Sequence, residues 1–178
     1  MSLPSYACWC LTVAFACAGG WFLYRCARST AGAAERLSLF LHVVMALVMI
    51  PMVWGARVPH TPQVAVLAAT VAWFAVLAVR AGRMMPAIQH AHHALMAAVM
   101  IWMVVMPAPA GGPVSHHAGM APMGGPAPAA VTLAGYFFLA AAVWLAEAGT
   151  ATGPRRLPAA AGHAAMSLGT AVLTLAMS

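Results

Sequence analysis

Charge is what this chain has least of. Only 6% of its 178 residues are charged, against about 25% in an ordinary soluble domain. Lysine, asparagine and aspartate are absent, and Glu35 and Glu147 are the only acids. A chain without lysine has no glycine-rich phosphate loop of the kind that ends in lysine, so no ATPase motif is present. A chain this poor in carboxylates is a poor host for Mg²⁺, Ca²⁺ or a carboxylate di-iron centre, and it has no carboxylate relay. Cysteine is confined to Cys8, Cys10, Cys17 and Cys26, a spacing that fits neither a redox Cys-x-x-Cys nor a zinc ribbon. Cys17 and Cys26 are expected to be small buried apolar residues. Cys8 and Cys10 fall near a membrane surface, where a soft-metal role is the alternative to packing. A basic stretch ahead of the first apolar run is also missing, so that run reads as a retained helix and not as a secretory leader.

Apolar residues make up 64% of the chain, with a mean hydropathy of +0.90. Six runs, at about 6–24, 37–54, 63–80, 87–106, 130–147 and 158–177, approach the roughly 20 residues that cross a bilayer at 1.5 Å each. Connections are short except for 107–129. These features predict an all-α integral membrane protein, a single domain over 1–178 whose six helices form three helical hairpins in one bundle.

The net charge of +6 comes from eight arginines against the two glutamates. Arg25, Arg28, Arg36, Arg80, Arg83, Arg155 and Arg156 lie in the first, third and fifth connections, and only Arg57 lies in the others. This is the pattern of the positive-inside rule. It predicts a multi-pass protein of a bacterial plasma membrane with both termini extracytoplasmic. It also accounts for the basic excess without nucleic acid, and none is expected as a partner.

Three of the apolar runs share a motif. His42, Met45, Met49 and Met52 recur as His93, Met96, Met100 and Met103, at offsets of 3, 7 and 10 that keep one helical face. A third copy opens with His163 and Met166 and then carries Thr170 and Leu173. With the three helices parallel, the histidines share one layer and Met45, Met96 and Met166 the next, one turn further out. Imidazole with thioether suits Cu(I), and histidine in a membrane segment must find a partner. The competing reading is packing, with methionine as a core filler and histidine bonded to a neighbouring helix. On the same helix, His90 falls near the methionine face and His92 towards a neighbour.

The long connection, PAPAGGPVSHHAGMAPMGGPAPA, is rich in proline and glycine and has no fixed charge. It reads as a flexible outer loop. Its His116, His117, Met120 and Met123 repeat the same residue types and are candidates for capturing an ion. His60, in a Pro-His-Thr-Pro turn, is expected to be solvated. Glu147 is expected to pair with an arginine or to reach the interface. Trp9, Trp54 and Trp102 are expected in the outer interfacial belt.

The stretches HVVMALVMIPMVWG, HHALMAAVMIWMV and HAAMSLG resemble the helices of an actinobacterial family of small membrane proteins known only as a domain of unknown function. That resemblance implies a multi-helix fold in the plasma membrane and carries no catalytic residue with it. The expectation is a non-enzymatic Cu(I)-binding protein of copper storage, transfer or homeostasis. Its ligands would be His42, Met45, Met49, His93, Met96, Met100, Met103, His163 and Met166, and its partners the bilayer and other membrane or copper-handling proteins. Two readings stand beside it. In one, two of His42, His93 and His163 are axial ligands of a b-type haem in an electron carrier. In the other, the bundle is structural and its alanine-rich faces bind a partner.

Overall fold

The computed structural model describes residues 3–30, 32–56, 58–105, 128–150 and 156–177. It is all-α: α1 (Ser5–Arg28), α2 (Ala33–Val53), α3 (His60–Arg80), α4 (Met84–Val105), α5 (Pro128–Thr150) and α6 (Arg156–Met177). All six helices are long and apolar enough to cross a membrane. Each begins ahead of its expected apolar run, and α1 and α5 also end later. Polar residues at the helix ends, such as Glu35 and Arg28, continue the backbone hydrogen bonding beyond the apolar stretch.

Proline and glycine set the ends. Proline stands at the first or third position of α3, α4, α5 and α6 (Pro62, Pro86, Pro128, Pro158) and just before α1 (Pro4), where its missing N–H costs nothing. After α2 the chain reverses through Gly55 at φ 60°. There Gly55 N–H donates to the Met52 carbonyl and Ala56 N–H to that of Pro51, a Schellman closure that favours glycine.

The helices pair in chain order, α1 with α2, α3 with α4 and α5 with α6, and α6 also packs along α1. The α1–α6 seam depends on two glycines. Phe15 occupies the place where a Cβ at Gly169 would stand, and Phe22 comes within 3.2 Å of the Cβ position at Gly162. The bundle core takes Met45, Met49, Met96, Met100 and Met166 from the even helices and Phe15, Leu67, Phe74 and Phe137 from the odd ones, all fully buried. The outer surface is apolar as well, with Val13, Leu47, Leu139 and Val79 among its exposed residues, as a surface facing lipid requires.

The cysteine expectations are corrected here. Cys8 is the buried one, its thiol 3.6 Å from the Val53 carbonyl, whereas Cys10 and Cys17 are exposed and Cys26 is half-buried. Helical phase is the reason. Cys8 precedes Phe15 by two turns and shares its inward face, while Cys17 lies roughly 160° around the helix from Phe15. At the opposite end of α1 from the arginines, exposed Trp9 and Trp54 meet edge to face at 5.1 Å, and the Trp54 indole donates to Thr12 Oγ1. Trp102 is half-buried on α4, and His60 is exposed at the start of α3.

Candidate metal centre

His42 and His93 each follow the start of their helix by nine residues and His163 follows the start of α6 by seven. At 1.5 Å per residue that is roughly 10–14 Å inside the arginine-bearing end. The three imidazoles converge at this depth. Their ring centroids are 4.5 Å (His42–His93), 4.8 Å (His93–His163) and 5.1 Å (His42–His163) apart. One nitrogen from each ring lies within 4.8 Å of the other two.

The hydrogen bonding of the cluster is incomplete in a specific way. His42 Nδ1 donates to the Ser38 carbonyl at 2.7 Å, since a carbonyl can only accept. A neutral ring then has an unprotonated Nε2 with a free lone pair. Metal-ligating histidines are commonly oriented by such an N–H to carbonyl bond on the far nitrogen. His42 Nε2, His93 Nδ1 and His163 Nδ1 are buried with no hydrogen-bond partner among the described residues. Leaving one such atom unpaired costs about 1–3 kcal/mol, and this layer gathers three.

Around the histidines lies a second set of residues that sequence reasoning missed. Phe22, Phe74 and Trp144 each stand six residues before the end of an odd helix. Phe22 packs on His42 and His163 at 4.8 and 5.1 Å. Phe74 packs on His42 and His93 at 5.2 and 5.3 Å. Trp144 packs on His163 at 4.8 Å and lies parallel to His93 at 6.4 Å. Histidine and large aromatic therefore alternate around an approximate threefold axis. Two turns further out on the same helices, Phe15, Leu67 and Phe137 are fully buried. The recurrent spacing of seven between Phe15 and Phe22, Leu67 and Phe74, and Phe137 and Trp144 was the available clue.

The two other histidines of α4 part company. His92 is buried and bridges Tyr136 on α5 and Ser167 on α6, each at 3.0 Å, with both ring nitrogens engaged. It ties α4 to the third hairpin. His90 is half-buried one turn nearer the arginine end, its ring stacked on Phe74 at 6.2 Å and its Nδ1 unpartnered among the described residues.

Beyond the histidines, Met45, Met96 and Met166 have no exposed surface, nor do Met49 and Met100, and Met103 is 3% exposed. Met52 is half-buried. The third repeat departs where α6 carries threonine. Thr170 and Thr174 donate to the Met166 and Thr170 carbonyls at 2.8 and 2.7 Å, and the Thr174 hydroxyl lies 3.9 Å from Met103 Sδ. His116, His117, Met120 and Met123 lie outside the described residues.

Three neutral imidazoles with unpaired nitrogens, enclosed by aromatics, can accept a cation or a shared proton. They bring no carboxylate to the layer. Neither curated proteins nor solved structures match this chain. Residues 34–177, which span all three histidine-bearing helices, match the model of a family described as a domain of unknown function, DUF5134, and the chain belongs to that family.

Proposed function

We propose that this is a membrane Cu(I)-binding protein of copper storage or transfer, without enzymatic activity, in which His42, His93 and His163 hold the ion. The observation that carries the reading is the convergence of three imidazoles, one nitrogen of each within 4.8 Å of the others, in a layer where each ring also has a buried nitrogen without a partner among the described residues. Metal–imidazole bonds of about 2.0 Å place ligand nitrogens about 3.4 Å apart, so each needs to move by less than about 1 Å. Charge supports a monovalent ion. With neutral ligands the complex keeps the ion's whole charge, and the cost of burying charge grows as its square, about fourfold higher for a divalent ion. Softness supports copper among monovalent ions, because Met45, Met96 and Met166 come one turn beyond the histidines.

Packing favours a compact ion over a haem. Two axial imidazoles must face each other across a flat macrocycle, whereas these three rings sit 4.5–5.1 Å apart with Phe22 and Phe74 in the gaps between them. The positive-inside pattern supports a plasma-membrane location with both termini outside and the histidine layer nearer the cytoplasm. Other membrane or copper-handling proteins are the partners this reading implies.

Metal content of the detergent-purified protein, measured by mass spectrometry with an absorption spectrum of the same sample, tests the reading. About one copper per chain is expected after exposure to Cu(I), falling at least about tenfold in His93→Ala, a loss of about 1.4 kcal/mol or more in binding. Equal copper in a folded His93→Ala protein would rule the layer out as the site, and a Soret band would move the assignment to haem.

A further inference from the structure

A cavity of about 240 Å³ opens among α4, α5 and α6 at the arginine-bearing end of the bundle. Gln89, Glu147 and Arg156 line it together with Trp144 and His163. Glu147 and Arg156 are exposed, Gln89 is half-buried, and His163 is half-buried where the cavity meets the histidine layer. One of the chain's two carboxylates thus shares a cavity with a candidate ligand. Among the described residues the ion pair present is Arg25–Glu35, and Glu147 does not pair with Arg156.

The two sides of the histidine layer differ sharply. Towards the arginine end, His163 meets a polar space large enough for several waters. Towards the other end, Met45, Met96 and Met166 have no accessible surface. A cation moving from water into the layer loses its hydration shell, and polar groups that replace that shell stepwise lower the barrier. Gln89 and Glu147 supply oxygen atoms on this side, and the Glu147 carboxylate offsets the charge that Arg156 brings to the same cavity.

We propose that the histidine layer exchanges its ion through this cavity, from the arginine-bearing face, with Glu147 and Gln89 as the first protein contacts of a soft monovalent cation. The proposal rests on the reading of the layer as a metal site. It places entry at the end of the bundle opposite to the end of α4 and the start of α5.

Cysteine accessibility separates the route from the metal. Ala159 and Ala160 form a wall of the cavity, and Ala159→Cys and Ala160→Cys are small changes within it. Right-side-out and inverted membrane vesicles containing the full chain are treated with a membrane-impermeant cationic methanethiosulfonate. The labelled positions are read by peptide mass spectrometry. The introduced cysteines are expected to react from the arginine-bearing side only. Their rate should exceed that of the outward-facing Cys17 by at least about tenfold, because the thiolate is the reactive form and water favours it. Reaction no faster than Cys17, or reaction from the opposite side, overturns the route.

The same vesicles are then offered Cu(I) held by the impermeant chelator bathocuproine disulfonate. Loading from the arginine side, blocked once Ala159→Cys is labelled, supports the route together with the site. Equal loading from the far side, or loading unchanged by the label, overturns the route and leaves the site. Labelling as expected with no copper taken up from either side overturns the site and the exchange with it, and leaves a cavity open to water alone.

Discussion

Histidine and methionine do different work in this bundle, and the difference can be measured. The three imidazoles carry unpartnered nitrogens, so on the metal reading removing one would weaken what the layer holds. The methionines beside them carry no unmet hydrogen bond and would be as well buried if they served only as filling. Met96→Leu separates the two roles, because leucine nearly conserves the volume. Its cost in stability should stay below about 1.5 kcal/mol. If the thioether binds the ion, affinity for Cu(I) measured by chelator competition should fall by about tenfold, equivalent to 1.4 kcal/mol. Unchanged affinity would assign the methionine layer to packing and leave the site to the histidines alone. These residues were legible in the sequence because histidine is conspicuous among apolar neighbours and its methionine repeats at helical offsets. Phe22, Phe74 and Trp144 were not legible, since one more large apolar side chain in an apolar helix offers no contrast.

Element identity followed from apolar length, and element faces did not. A helix that is apolar on all sides gives no periodic signal for which side meets its neighbours. This is why Cys17 was expected inside and is outside, and why the odd helices hid their part in the repeat. The glycines of α6 carry better information. Gly162 and Gly169 are seven residues apart, as are the Phe22 and Phe15 rings that they admit, so the α1–α6 seam is set by two rings seated over two missing side chains. Gly169→Ala places a methyl group where the Phe15 ring now sits. Overpacking of this kind costs about 1–3 kcal/mol, and thermal unfolding in detergent should show a lower midpoint. Gly20→Ala on α1, where a Cβ meets nothing within 4 Å, is the matched control and should shift stability by less than about 1 kcal/mol. Equal effects of the two substitutions would mean that the seam is not the close contact described here. On α6, Thr170 and Leu173 replace the later methionines of the pattern, and Thr174 meets Met103 of α4. Thr170 and Thr174 satisfy their hydroxyls on their own helix, as small buried polar groups must.

At the scale of the whole molecule, the approximate threefold arrangement and the arginine bias together define an axis with two unlike ends. Hairpins alternate direction, so the arginine-ended turns after α1, α3 and α5 all fall at one end, and α2, α4 and α6 all start there. That common start puts three histidines from three hairpins at one depth, and it makes their distance from each membrane surface a matter of orientation. Seven of the eight arginines belong in the sequence to the connections at that end, and the positive-inside rule predicts that it faces the cytoplasm. On that prediction the histidine layer would lie nearer the cytoplasm, and the cavity beside Glu147 would face it. Alkaline phosphatase, active only outside the cytoplasm, should therefore be active when fused to the C-terminus and inactive when fused after Arg83. A fluorescent protein that matures only inside should give the opposite pattern. The reverse result would leave every distance in the layer as it is and turn the cavity to the exterior, so that the ion would be exchanged with the outside. On the copper reading, orientation alone would decide whether the site serves a cytoplasmic pool or an external one, and the fusion pair reads it without any metal being bound.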